Sequence, residues 1–225
     1  MISEESKQFF KELLEAPSPS GIENQAINVW KKYMDKYHTI AYEDKIGNVA
    51  YKIGHGPATI LLSGHIDEVN SRVSYISDKG IISVINTGGQ CKKSLLASHV
   101  RVLNDDGKLI KGIVEKTPIH CEEDEERDKV GKIYGMKINI GAECKSDVIE
   151  QGIHVGSPVI YERNSEMRFG EHQVCSQGLD DKVGVFITYE ILKRLYQNLS
   201  DNRDWADKYT VIGMAVAQEE TGLRG

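Results

Sequence analysis

Two apolar runs limit what this chain can fold into, because each predicts a core strand that ends near side chains able to bind a cation. Residues 58–62 (Ala-Thr-Ile-Leu-Leu) lack the alternation of a half-exposed strand, which favours a central strand covered on both faces. Residues 209–217 predict a second core strand. Because sites in open α/β sheets lie outside the carboxyl ends of strands, we expect the polar side chains after the two runs to lie together. These side chains are His65, Asp67, Glu219 and Glu220.

The segments around these runs predict an α/β fold. Ser20 followed by Glu23 matches a capping box, so we expect a helix to begin at Ser20. Residues 39–43 and 48–53 are β-type runs bounded by turn residues. Between residues 183 and 195 the apolar side chains recur on one side of a helix.

Residues 69–169 differ from the flanking sequence in carrying short β-like runs and many glycines. Runs at 73–77, 81–85 and 137–140 predict strands. Residues 144–151 predict one short helix. We therefore expect a separate, small, β-rich domain over this region.

Composition and charge exclude several classes of function. The 225 residues carry 28 Lys and Arg against 34 Asp and Glu, and the basic residues are dispersed, which argues against a nucleic-acid partner. No apolar stretch is long enough to cross a membrane. The acidic run 121–129 is interpreted as a solvated segment rather than a docking or metal-collecting patch. The cysteines form no CxxC pair and fit a reducing cytoplasm; they are Cys91, Cys121, Cys144 and Cys175.

Taken singly, the first two candidate motifs are also compatible with structural roles. His65 can bind zinc or cobalt while Asp67 orients its ring, but the same triplet also occurs as a polar turn. Asp180 and Asp181 open a predicted helix, where they can cap its amides or bridge two cations. Spacing alone does not choose between these interpretations.

The adjacent pair Glu219 and Glu220 suggests a division of labour. One carboxylate would bind a metal and the other would take a proton from a metal-bound water. Adjacent residues on extended backbone point to opposite sides. We therefore expect the two carboxylates to face in different directions.

In combination, three motifs resemble the glutamyl aminopeptidase or tetrahedral (TET) aminopeptidase family, some of whose members are labelled endoglucanases. The motifs are 64–69 (Gly-His-Ile-Asp-Glu-Val), 178–184 (Gly-Leu-Asp-Asp-Lys-Val-Gly) and 218–225 (Gln-Glu-Glu-Thr-Gly-Leu-Arg-Gly). The resemblance implies a mixed-sheet, zinc-peptidase-like α/β catalytic domain. It also implies that this domain is interrupted by a PDZ-like β domain that serves oligomer assembly. On this basis residues 1–68 and 170–225 would form the catalytic domain and 69–169 the insert.

The resemblance also implies a role for each site residue. His65 would bind the first of two divalent metal ions, zinc or cobalt, Asp180 would bridge them, and Glu220 would bind the second. Glu219 would be the general base, and Asp67 would orient His65. Asp181 would follow Asp180 across a cis peptide bond. The implied reaction is attack by metal-activated water on the first peptide bond of a short peptide.

Departures from the family pattern lead to further expectations. The family supplies one more metal-binding Asp and a His after the third motif. We therefore expect a C-terminally incomplete catalytic domain, weak metal coordination, impaired activity and an unpaired strand near 211–217. His120 and His172 are the least unfavourable substitutes for the missing ligand.

The intact relative would be cytoplasmic, assembling from dimers up to dodecamers, with short peptides as its substrates. Two alternatives stay open. One is a catalytically inactive interaction or assembly subunit, and the other is a related metal-dependent carboxypeptidase or deacylase.

Overall fold

The computed structural model describes residues 2–116, 136–162, 168–169, 173–199 and 203–225. It divides the chain into two compact units: unit 1 is Met1–Glu68 with Arg163–Gly225, and unit 2 is Val69–Glu162. The acidic run 121–129, His120 and His172 lie outside the described residues. The predicted end of the insert at residue 169 stays a prediction.

The helices and strands are numbered along the chain. Those of unit 1 are α1 (Glu4–Glu15), α2 (Asn24–Met34), β1 (Thr39–Glu43), β2 (Val49–Gly54), β3 (Ala58–His65), β10 (Arg168–Phe169), β11 (Gln173–Val174), α5 (Leu179–Asn198) and β12 (Tyr209–Val216). Those of unit 2 are β4 (Asn70–Ile76), β5 (Ile82–Thr87), α3 (Lys92–Leu95), β6 (His99–Leu103), β7 (Leu109–Val114), β8 (Lys137–Asn139), α4 (Lys145–Glu150) and β9 (Pro158–Tyr161).

Unit 1 is built on a four-stranded sheet in the order β1-β2-β12-β3. β12 runs antiparallel to β2 and parallel to β3, so the predicted mixed-sheet α/β fold is confirmed. An aromatic core joins the helices to the sheet: the Phe9 ring lies 4.3 Å from that of Tyr189, and Trp30 and Tyr51 are fully buried. Burying such large apolar side chains is the main stabilising contribution in a unit of this size.

The two apolar runs occupy different positions in the sheet, β3 at an edge and β12 in the interior. β3 is an edge strand of the described sheet, and Ile60 and Leu61 are 44% and 59% exposed. The prediction that 58–62 is covered on both faces is therefore wrong. An uninterrupted apolar run shows that a segment is hydrophobic, but it does not determine how many strands lie beside that segment. β12 pairs on both sides, so the unpaired strand expected near 211–217 is also not observed.

The predicted helix start at Ser20 is wrong. α2 begins at Asn24, with Glu23 at the N-cap position. Residues 18–20 instead run alongside the end of the first motif, where Pro19 forms a parallel bridge with Glu68. Ser20 and Glu23 fit the capping-box spacing, but the Ser20 hydroxyl bonds to Asp67 and the Glu23 carboxylate accepts the Gln218 amide.

Unit 2 contains a closed barrel in the order β4-β5-β8-β7-β6-β9. Strands β4, β5 and β8 and helix α4 form where the sequence predicted them, whereas β6, β7 and β9 were not anticipated. Apolar side chains such as Val73, Val102 and Ile138 fill the interior. The likeness to a PDZ domain and the role in assembly stay predictions. No helix formed by the described residues of either unit is long and apolar enough to cross a bilayer.

Candidate metal centre

The parallel pairing of β3 and β12 brings the first and third motifs together. His65 is the register partner of Val216, so both strands end at the same edge of the sheet. Beyond β12 the chain turns into a short 3-10 helix, Glu219–Thr221. The side chains that follow the two runs therefore lie together, as expected; they are His65, Asp67, Glu219 and Glu220.

Asp67 holds this turn in place. Its side chain is fully buried, Oδ1 accepts the Glu219 amide at 3.0 Å, and Oδ2 accepts the Glu220 amide at 3.1 Å. Ser20 Oγ donates to Oδ2 at 2.6 Å. Because both amides bond to one carboxylate, the backbone curls after β12 instead of staying extended.

The curl corrects the expectation that Glu219 and Glu220 face opposite sides. One ligand atom each from His65, Glu219 and Glu220 lie within 4.8 Å of one another. Strand geometry does not apply at these positions, because they belong to a 3-10 turn. Both carboxylates therefore contribute to the same cluster.

The two nitrogens of the His65 ring face different partners, Asp67 at Nδ1 and the acids Asp180 and Glu219 at Nε2. Nδ1 lies 3.1 Å from the Asp67 carbonyl oxygen and 3.5 Å from Asp67 Oδ1. With the proton on Nδ1, Nε2 presents its lone pair to the opposite side, as a ligating imidazole requires. Nε2 lies 3.2 Å from Asp180 Oδ1 and 3.8 Å from Glu219 Oε2.

The two aspartates of the second motif separate into different roles. The peptide bond between Asp180 and Asp181 is cis. Asp181 Oδ1 accepts the Gly184 amide at 3.0 Å and so caps the regular part of α5. The Asp180 side chain is 92% exposed and reaches His65. Of the two interpretations left open by the sequence, capping holds for Asp181, and Asp180 remains available as a ligand.

Gly64 allows α5 to approach the site this closely. A Cβ at Gly64 would meet Val185 N at 2.6 Å and Gly184 C at 2.7 Å, distances that real Cβ atoms do not adopt. A larger residue would push the start of α5 away from β3. The glycine before His65 therefore helps to set the separation between His65 and Asp180.

The donor set fits a divalent cation. Two ligand atoms on one tetrahedral zinc, each at about 2.0–2.2 Å from it, are separated by about 3.3–3.6 Å. His65 Nε2 and Asp180 Oδ1 lie 3.2 Å apart, close to that range. Imidazole and carboxylate are ligands that zinc and cobalt accept. In the part of the chain that the structure describes, His65, Glu219 and Glu220 form the one group of three or more His, Cys, Asp or Glu ligand atoms that lie within 4.8 Å of one another.

The electrostatics of the cluster favour a positive occupant. Burial lowers the pKa of His65, but the Asp67 carboxylate and carbonyl and the charge of Glu219 raise it to about 9. Burial raises the pKa of Glu220 despite the opposing charge of His65, and the neighbouring charges of Glu219, Asp67 and Asp180 raise it further. Burial also acts to raise the pKa of Asp67, yet hydrogen bonds from His65, Ser20 and the two turn amides hold it below its usual range.

Several buried groups around the site were not anticipated. Glu23 accepts the Gln218 amide at 3.3 Å, and Glu68 accepts the Ser18 amide at 2.9 Å. Lys182 is fully buried and donates to the Ala16 carbonyl at 2.8 Å. No sequence signal marks a charged side chain as buried, so only the fold identifies these residues as supports of the site.

Comparison with known proteins places this arrangement in a family. The model of the M42 glutamyl aminopeptidase family matches residues 47–225, and the chain belongs to that family. Among curated proteins, it is 28% identical over 223 residues to the lysyl aminopeptidase of Pyrococcus furiosus, matching 97% of this chain and 60% of the relative.

Solved structures of aminopeptidases resemble this chain as well. A TET aminopeptidase from a marine sediment archaeon of the Thaumarchaeota is 32% identical with a TM-score of 0.86, covering 99% of this chain and 61% of that one. The TET1 peptidase of Pyrococcus horikoshii, described as able to assemble into a tetrahedron or a large octahedral shell, is 26% identical with a TM-score of 0.79, covering 98% and 63%. The chain thus spans about 60% of the length of these relatives.

Proposed function

We propose that this chain carries part of the active site of a metal-dependent aminopeptidase that removes the N-terminal residue of short peptides. Membership of the M42 family supports the reaction class. The observation that carries the proposal is the position of His65 Nε2, which faces both Asp180 and Glu219 at the ends of two parallel strands.

Two divalent cations, zinc or cobalt, would be held by residues of all three motifs. His65 and Asp180 would hold the first, and Asp180 and Glu220 the second. When bound, such cations supply Lewis acidity that lowers the pKa of water and polarises a substrate carbonyl. Two protein ligands per cation, fewer than the three usual for catalytic zinc, predict weak binding by these residues alone.

The chain's own residues then divide the work of proton transfer and orientation. Glu219 is 35% exposed, so it can reach both solvent and the cluster as a general base. It would accept a proton from the attacking water and return it to the leaving amine. Asp67 would keep Glu219 in place through the backbone amide and His65 through its ring, without touching substrate.

Assembly and location belong to the same proposal. We propose that unit 2 contributes to a homo-oligomer, by analogy with the shell-forming Pyrococcus horikoshii relative, and that the protein is cytoplasmic. Sedimentation of the purified chain tests assembly, since a monomer at all concentrations would contradict it.

The test of function begins with metal binding, because binding and turnover can fail separately. We expect Co²⁺ to bind in a visible-absorption titration and His65→Ala to abolish that binding. His99→Ala is the matched control, since His99 is exposed and belongs to unit 2. Cobalt binding that does not depend on His65 would contradict the proposed site.

Turnover is measured on amino-acyl p-nitroanilides with Co²⁺ or Zn²⁺ and on the same substrates with a blocked N-terminus. We expect cleavage of the free substrates only, reduced about 10³-fold or more in Glu219→Gln. Equal cleavage of blocked substrates would favour the deacylase alternative. Cobalt binding without any turnover would favour the assembly-subunit alternative.

A further inference from the structure

The segment 18–20 lies against the strand end that carries the candidate metal centre. The Glu68 amide donates to the Ser18 carbonyl at 2.9 Å, and the Ser20 amide donates to the Glu68 carbonyl at 3.4 Å. Pro19 and Glu68 form the bridge between the two segments. This pairing places the Ser20 side chain beside Asp67.

Ser20 makes the shortest contact to the Asp67 carboxylate. Its hydroxyl lies 2.6 Å from Oδ2, and its side chain is almost completely buried, like that of Asp67. The amides of Glu219 and Glu220 also donate to this carboxylate. His65 Nδ1 bonds to the Asp67 carbonyl oxygen and lies 3.5 Å from Oδ1. A carboxylate offers about four acceptor positions, and these four groups surround it.

Of these four groups, Ser20 alone lies outside the three metal-site motifs. His65, Glu219 and Glu220 belong to the groups that Asp67 orients, whereas Ser20 anchors Asp67 to an independent part of unit 1. Removing the hydroxyl would leave one acceptor position of a buried carboxylate unfilled. Asp67 would then gain freedom to rotate, together with the groups bonded to it.

We propose that Ser20 is a positioning residue of the metal centre, acting through Asp67 on the His65 ring and on the Glu219–Glu220 turn. The inference rests on the proposed function. A helix-capping role does not account for Ser20, because α2 begins at Asn24 and Glu23 occupies its N-cap position. The second contact of the Ser20 hydroxyl, at 3.3 Å, is to the Glu68 carbonyl.

Ser18 provides a matched control in the same segment. It is equally buried, and its hydroxyl points to Glu68 Oε1 at 3.4 Å rather than to Asp67. Ser18→Ala and Ser20→Ala therefore remove the same atom from neighbouring buried positions. A general loosening of the segment would affect both variants alike, and loss of positioning would affect only Ser20→Ala.

The experiment compares Co²⁺ binding by the wild-type chain and the two variants, using visible absorption at one pH. Loss of groups that orient metal ligands weakens metal binding by about 10–100-fold. Because Ser20 acts through Asp67, we expect about 10-fold weaker binding and an altered cobalt spectrum in Ser20→Ala. Ser18→Ala should stay within about twofold of wild type, with an unchanged spectrum.

Amide hydrogen exchange of the metal-free proteins gives a readout independent of the metal. The Glu219 and Glu220 amides should exchange faster in Ser20→Ala and at the wild-type rate in Ser18→Ala. Equal effects of the two variants on cobalt binding and on exchange would overturn the inference. A wild-type chain that binds no cobalt would overturn the proposed function, while the exchange comparison would still test the positioning role of Ser20.

Discussion

The two units bury polar groups in different ways. Within the described residues, unit 1 buries acidic and basic side chains, whereas the polar side chains that unit 2 buries are neutral. The former are Glu23, Asp67, Glu68, Lys182 and Lys193. The latter are Asn70, Ser71, Asn104 and Ser157. Because a buried charge is costly unless it is hydrogen-bonded, unit 1 depends on a set of specific partners that the barrel does without.

Three of the buried charges support the candidate metal centre. Asp67 and Glu23 bond to the amides of residues 218–220, and Lys182 joins the start of α5 to Ala16. The barrel of unit 2 is filled mainly by aliphatic side chains. The difference shows that apolar packing suffices to build a compact unit, and that buried charge accompanies the organisation of a site.

The largest expected effect is on the barrel core. Ile138 is 1% exposed, and Ile138→Ala should lower the free energy of unfolding by about 4 kcal/mol, because it removes packed methyl groups and leaves a cavity. Urea unfolding measures the loss. Ile113→Ala, at a position 43% exposed, should cost less than about 1 kcal/mol. A change in cobalt affinity of the folded Ile138→Ala protein would contradict the distinction between the units, in which the packing of unit 2 does not determine the metal site of unit 1.

Lys182→Met tests a buried charge of unit 1. Removing the ammonium group leaves the Ala16 carbonyl without this donor, and we expect a loss of about 3 kcal/mol in urea unfolding. Lys182→Arg keeps the charge and a donor and should be less destabilising. If both substitutions cost equally, the contribution of Lys182 is its shape rather than its charge.

Asp67→Asn separates stability from site organisation. The substitution keeps the shape of the side chain but replaces an acceptor oxygen by a donor, which conflicts with the amides of Glu219 and Glu220. Cobalt affinity should fall about 100-fold, as measured by visible absorption. Asp105→Asn, at an exposed position of unit 2, should leave affinity unchanged. Unaltered cobalt binding in Asp67→Asn would contradict the role given to Asp67.

The smallest effect concerns His38, a partly buried histidine of unit 1. Burial lowers its pKa from 6.5 to about 4, against a hydrogen bond to the Leu192 backbone. Because the folded pKa lies below the unfolded one, the contribution to stability is present above pH 6.5 and is lost as pH falls through 4. The free energy of unfolding of the wild type should fall as the pH is lowered from 6.5 to 4. In His38→Gln this fall should be smaller by about 2 kcal/mol, as measured by thermal and urea unfolding. His55→Gln, at an exposed position, is the matched control.

The sequence predicted the elements of unit 1 better than their environment. β1 matches the predicted run, and β12 is the interior strand that the sequence indicated. β3 is apolar yet lies at an edge of the described sheet, since hydrophobicity does not specify what lies beside a strand. The closed barrel of unit 2 could not be predicted from local sequence patterns, because its closure depends on which strands distant in sequence pair with each other.

The candidate site shows the same limit at the level of side chains. His65, Asp180 and Glu219 were identified by residue type and motif, and the fold brings them together. Ser20 was interpreted as a helix cap because its spacing from Glu23 fits that pattern. Its actual partner, Asp67, is 47 residues away in sequence, and local patterns carry no information about such partners.

The order of strands in unit 1 has a consequence for how the chain folds. Among the described strands β12 comes last in sequence, yet it lies between β2 and β3. During synthesis, β2 and β3 therefore emerge from the ribosome before the strand that separates them in the described sheet, which follows about 150 residues later. Contacts between segments so far apart form slowly, because a long loop must close before they stabilise anything. Unit 2 is continuous in sequence and can complete its barrel within that interval.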